Sequence, residues 1–137
     1  MKLMKLMLVL LFAVFTVLAS PSPQEDAEHT GWMKTIQAAT GGIRKNIEAK
    51  AADDIVKDAA KIEGAFKKSE EFWAKRKTDD AVKWSQQSQA VAKEIAEAAK
   101  GGDMEKVSTS LRSLMGNCAA CHGAHREKLA EGGYKIK

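Results

Sequence analysis

From Glu25 onward, apolar residues recur at intervals of three and four, the repeat of helices with one buried face. A first segment, about Glu25 to Lys50, carries Trp32 or Met33, Ile36, Thr40, Ile43 and Ile47 on one stripe. A second, about Ala52 to Arg76, carries Ile55, Ala59, Ile62, Phe66, Ser69 and Trp73. The third begins after Thr78-Asp79-Asp80, where Thr78 or Asp79 is placed to cap free amides. Its stripe is Ala81, Trp84, Ser88, Val91, Ile95 and Ala98, and Gly101-Gly102 stops it. The fourth starts near Asp103, carries Val107, Leu111, Leu114, Cys118, Cys121 and His122, and is expected to end near Gly132-Gly133. Steps averaging about 3.5 residues belong to helices packed nearly antiparallel. The expectation is an all-α, up-down-up-down four-helix bundle over 25–137. Much of the seam is alanine and serine, which either lets helices pack closely or leaves room for a planar group between them.

Composition adds few constraints. Proline is confined to Pro21 and Pro23, and Ala, Lys, Glu and Gln, all good helix formers, dominate the chain beyond them. At the N-terminus, Lys2 and Lys5 precede the apolar run 6–18 and then Ala19, the layout of a secretory signal peptide cut after Ala19. The run falls short of the roughly 20 apolar residues a spanning helix needs. Residues 1–19 therefore read as a signal, 20–24 as a short linker, and the mature protein as soluble and exported, periplasmic, with no stable membrane insertion. Loss of Lys2 and Lys5 takes the net charge from +4 to +2. With charges interspersed, as in AKRKTDDAVK, this balance points to no nucleic-acid partner.

The chemistry is concentrated in GNCAACHGAHR, residues 116–126, which holds both cysteines and two of the three histidines. On a helix, Cys118, Cys121, His122 and His125 share one face, and Leu111 and Leu114 lead into it. Cys-x-x-Cys-His is the attachment signature of c-type haem. Two thiols one turn apart each add to a vinyl group of the porphyrin, and the adjacent imidazole reaches the iron from the same side. Other readings fit less well. A thioredoxin-type pair belongs at a helix N-terminus after a strand. A disulfide here closes too small a loop to stabilise much. Zinc would need Cys121 and His122, which splay apart on a helix, to join a tetrahedral set.

A bundle with its single Cys-x-x-Cys-His in the last helix resembles the class II c-type cytochromes, the cytochrome c′ family. The resemblance spans the mature chain, although only the C-terminal motif is highly specific. It implies that Arg126, four residues after His122, tunes the imidazole or meets a haem propionate. WMKTIQAATGGI resembles the low-spin branch, which implies that Met33 is the second iron ligand, with Met104 and Met115 as rivals on the fourth helix. Where the family often has an arginine for the propionates, four residues earlier, this chain has His29, expected to be an exposed terminal residue. His125 is expected near the porphyrin edge or partly exposed at the helix end. Trp32, Phe66, Trp73 and Trp84 are expected mainly in the core, with Trp84 or Phe66 against the ring. Gly116 either permits close approach of backbone and cofactor or kinks the helix.

The expected function is one-electron transfer by a monohaem cytochrome with one covalent haem c, held by Cys118 and Cys121 and ligated by His122 and Met33. No nucleophile, acid–base pair or substrate pocket is signalled, so no enzyme is expected. Redox proteins are the expected partners. Family members pair through their first two helices, yet charged residues crowd those outward faces here and no pairing patch stands out. Two alternatives stay open: a five-coordinate gas-binding haem protein, and a helical zinc or thiol protein.

Overall fold

The computed structural model describes residues 22–137, so the signal-peptide expectation lies outside the described residues. These residues form an antiparallel four-helix bundle with a short terminal hairpin: α1 Pro23–Ala49, α2 Ala52–Lys75, α3 Asp79–Lys100, α4 Met104–His125, β1 Arg126–Lys128 and β2 Tyr134–Ile136. No helix among them is long and apolar enough to cross a membrane.

Local chemistry sets the boundaries. Ser22 and Glu25 form a reciprocal capping box ahead of α1: the Ser22 hydroxyl accepts from the Glu25 amide at 3.2 Å, and Glu25 accepts from the Ser22 amide. Pro23, whose missing amide is no loss in the first turn, comes directly after the cap. Lys50 ends α1 in the left-handed region at φ 52°. Thr78 occupies the cap position of α3 but makes no side-chain cap bond; its hydroxyl donates to the Arg76 carbonyl at 3.3 Å. Asp103 does cap α4, accepting from the Lys106 amide at 2.9 Å.

The seam of α2 matches the expected stripe, with Ile55, Ala59, Ile62, Phe66, Ser69 and Trp73 all buried. In α3 the phase differs: Ala81, Ser85, Ser88, Ala92, Ile95 and Ala99 are buried, while Trp84, Val91 and Ala98 are only half-buried. Neighbouring positions are about 100° apart on a helix, and Ser85 and Ala92, each smaller than its neighbour Trp84 or Val91, take the points of closest approach, which carries Ala99 inward in the same phase.

The end of α4 is a second difference. Instead of running to Gly132-Gly133, the helix stops at His125, and Arg126 turns extended at φ −122°, ψ 132°. The chain then folds back, pairing Arg126 with Ile136, Glu127 with Lys135 and Lys128 with Tyr134. Gly132 and Gly133, at φ 96° and 83°, make the turn, which other residues adopt only with strain. Ile136 packs against the buried cluster that Phe72, Trp73 and Ala81 form, and that apolar burial is what the folded-back tail gains.

Consecutive helices pack along their lengths, but α1 and α4 meet at few points. The main core of Ile36, Ile43, Ile55, Ile62, Ile95 and Leu114 closes one end of the bundle. Toward the other end the α1–α4 seam stays open.

Candidate functional site

That open seam leads into a cavity of about 840 Å³, within the range of roughly 300–1,000 Å³ usual for bound organic ligands. One wall is α4, with Cys118, Cys121, His122 and His125; the opposite wall is α1, with His29 and Met33. Phe66, Ser69 and Trp73 of α2, with Trp84, Ser85 and Ser88 of α3, line the remaining surface. The two cysteines, His122 and Met33, about 85 residues apart in sequence, thus border one space. Arg126 borders it too, but from β1 rather than from a further helical turn beyond His122. Its guanidinium lies 3.8 Å from the centre of the Tyr134 ring. Met115 also lines the cavity, whereas Met104 packs against the main core.

Small side chains divide by location. Buried alanines such as Ala59, Ala92 and Ala99 bring helices together in the main core, while Ser69, Ser85 and Ser88 stand where the cavity is. Ser88 Oγ is the one fully buried side-chain polar atom without a hydrogen-bond partner among the described residues. A buried hydroxyl left unpaired is worth about 1–3 kcal/mol of lost stability, so its place in a cavity wall suits a space that takes a polar-edged ligand.

His29 is buried, not exposed. Its ring stacks on Phe72 with centroids 4.3 Å apart and meets the edges of Trp32 and Trp73, while Nε2 lies 3.3 Å from Ser69 Oγ. Ser85 in turn donates to Ser69 at 3.4 Å. Burial, with the nearby Arg76 and His122, pushes the His29 pKa down to about 4, so the ring is neutral at neutral pH and offers no cation to a carboxylate. Beside it, Arg76 lies 3.4 Å over Phe72 and donates to Asp26 at 2.7 Å, tying α2 to the start of α1. His125 contacts the Asp80 carboxylate at 2.9 Å and packs near Trp73 and Trp84, tying α4 to the start of α3. Pairs 50 and 45 residues apart leave no trace in sequence spacing.

Cys118 and Cys121 are free thiols. Burial pushes the Cys118 thiol up; burial, then Asp80 and Cys118, push Cys121 up to about 11. A redox-active pair needs the opposite shift, because the thiolate is the nucleophile. Nor do three or more His, Cys, Asp or Glu side chains converge on a metal-sized point among the described residues. Burial and then Arg126 lower the His122 pKa, favouring the neutral imidazole whose lone pair binds a metal. Two protonated thiols one turn apart, a neutral imidazole beside them and a ligand-sized space in front are a donor set that fits a covalently attached haem.

No family model and no curated protein matches the chain. A solved structure that it is similar to is a cytochrome c′ with an unusual ligand-controlled dimer dissociation, at 18% identity and a TM-score of 0.65, covering 87% of this chain and 100% of that one. At this identity the likeness is one of fold, and the bundle has the four-helix fold of that cytochrome c′.

Proposed function

We propose that the chain is an exported, periplasmic monohaem c-type cytochrome of the low-spin His/Met kind, a one-electron carrier and not an enzyme. The observation that carries this reading is the meeting of Cys118, Cys121, His122 and Met33 on one cavity. Cys118 and Cys121 would hold the haem through thioethers, His122 would ligate from α4, and Met33 from α1. A bound haem supplies an iron that alternates between Fe(II) and Fe(III), with thioether ligation raising the potential. The protein's part is to fix the ligands, keep the His122 imidazole neutral and exclude water with Phe66, Trp73 and Trp84. Arg126, the cation in the hairpin wall, would neutralise a haem carboxylate.

A second reading keeps the haem and opens the Met33 side to a small gaseous ligand. It draws on the solved cytochrome c′ of the same fold, whose dimer dissociation is ligand-controlled, and it brings self-pairing of this chain with it.

Protein exported by a host able to attach haem tests both. Mass spectrometry is expected to find one haem-sized increment on the peptide holding Cys118 and Cys121; its absence removes the cytochrome reading altogether. The ferrous spectrum is expected to be low-spin and slow to change under carbon monoxide, and Met33→Ala to become high-spin. Rapid carbon monoxide uptake by the unaltered protein selects gas binding. A low-spin Met33→Ala protein shows that another residue ligates.

A further inference from the structure

The β1–β2 hairpin borders the cavity instead of a packed core. Arg126, Gly133, Tyr134, Lys135 and Ile136 all line that space. Strand alternation puts Arg126, Tyr134 and Ile136 on one face, with the Arg126 guanidinium 3.8 Å from the centre of the Tyr134 ring, and the Glu127–Lys135 ion pair on the other. A ribbon of two three-residue strands is marginal in water by itself. Every strand residue except Ile136 is exposed, and Ile136 is only half-buried. What holds the hairpin to the bundle is therefore the cluster of Phe72, Trp73 and Ala81, against which Cys121 also packs. The join to α4 is Arg126, where the chain leaves the helix, so losing the Ile136 contact lets the ribbon swing there with its own pairs intact. Met115 and Tyr134 are the exposed large apolar side chains among the described residues, and both line the cavity. A ring bound in that space covers apolar surface of Tyr134 that the chain alone leaves to water.

We infer that the hairpin is a strap that closes over the cofactor and is held closed by it, which makes Tyr134 and Ile136 part of the cofactor site and rests on the proposed haem. A haem joined to Cys121 lies beside the cluster that anchors Ile136 and gives the Tyr134 ring a surface to cover. Contacts that a ligand makes only with the closed arrangement shift the strap toward it. Without the ligand the strap opens locally, at a far smaller cost than unfolding the bundle.

Amide hydrogen exchange of the full chain with and without attached haem, read by mass spectrometry, tests the coupling. With haem, exchange across 127–137 is expected to slow by about tenfold or more, while the α3–α4 turn at Gly101-Gly102, at the other end of the bundle, changes little. No slowing in the hairpin, or equal slowing at both places, overturns the inference. The same spectra carry the haem increment. Its absence removes the haem reading and the strap with it, whereas attached haem beside an unprotected hairpin removes the strap alone. A kinetic arm follows the ferrous holoprotein giving one electron to tris(1,10-phenanthroline)cobalt(III), which becomes the cobalt(II) complex. Ile136→Ser, a neutral change that weakens the apolar anchor, is expected to react severalfold faster than the unaltered protein. Val107→Ala, which loosens the main core away from the cavity, is expected to keep the unaltered rate. An unaltered rate in Ile136→Ser, or equal acceleration in both variants, overturns the inference.

Discussion

His29 is a neutral imidazole among Trp32, Phe72 and Trp73, joined to Ser69. In the unfolded chain its pKa is near 6.5, and in the fold it drops to about 4. Because the folded value is the lower, the unfolded chain binds the proton more readily. The contribution of His29 to stability is therefore intact above about pH 6.5 and is lost as pH falls toward 4. The full loss is on the order of 3 kcal/mol. Urea unfolding at pH 7 and pH 5 measures most of it, and His29→Phe, which keeps the stacked ring, is expected to flatten the difference. A variant that weakens as much as the unaltered protein between those values places the effect on other groups. Nothing in the sequence announces this burial, because a first segment expected to start near Glu25 puts His29 only about one turn in, where exposure is the default. Cys118, Cys121 and His122 were legible for the opposite reason: each lies in phase with the apolar stripe of α4, so periodicity points them inward, whereas on α1 periodicity left Trp32 and Met33 open and only the family resemblance singled out Met33. Ser88 fell within a legible stripe as well, but only the packed structure sets its hydroxyl apart from Ser69 and Ser85, which pair with each other.

Along α1, adjacent glycines separate helix propensity from helix contact. Gly41 is exposed, with nothing within 4 Å of where a side chain would begin, whereas a methyl at Gly42 runs into the carboxylate of Asp58 on α2. Gly41→Ala is expected to stabilise the protein by about 0.5–1 kcal/mol through propensity. Gly42→Ala gains the same propensity but must displace Asp58, which pairs with Lys61 at 2.9 Å, and strain from overpacking is typically about 1–3 kcal/mol. Its net effect is expected to be destabilising, and thermal melts of the two variants are expected to move in opposite directions. Equal upward shifts would mean that Asp58 swings aside freely. Gly116 gives no such signal, since nothing among the described residues beyond its own turn of helix comes within 4 Å of where its side chain would begin. At this scale the four helices were legible from the apolar repeat and from local signals such as Gly101-Gly102 after α3 and Asp103 at the start of α4. The hairpin was not. It packs Ile136 against the cluster of Phe72, Trp73 and Ala81, more than 50 residues away in sequence, which no local pattern carries. The α3 phase slipped for a related reason, since Trp84 and Ser85 both lie within a wide apolar stripe and only packing against α2 selects the smaller.

The bundle as a whole has three well-packed helix interfaces and one that is largely open, between α1 and α4. An up-down-up-down topology places those two helices side by side, so the sequence implied their contact; the cavity between them depends on the side-chain volumes of all four helices at once. Under the proposed function the haem fills this fourth interface, linked to α4 through Cys118 and Cys121 and to α1 through Met33. Its loss is therefore expected to weaken the molecule unevenly. Cys118→Ser/Cys121→Ser, which cannot form thioethers, is expected to keep helical circular dichroism, because Ile55, Ile62, Ile95 and Leu114 in the main core are untouched. Its melting temperature is expected to fall markedly, since a tightly held ligand stabilises only the folded state. Amide hydrogen exchange would localise the loss. The first half of α1 and the last two turns of α4 are expected to exchange fastest, and the middles of α2 and α3, packed along their whole lengths, to stay protected. The residual local stability of α1 then depends on the aromatic contacts of His29 and on the Arg76–Asp26 pair. Uniform loss of protection in all four helices would show that the open seam is not where the cofactor contributes, and would detach the stability of the bundle from the occupancy of its cavity.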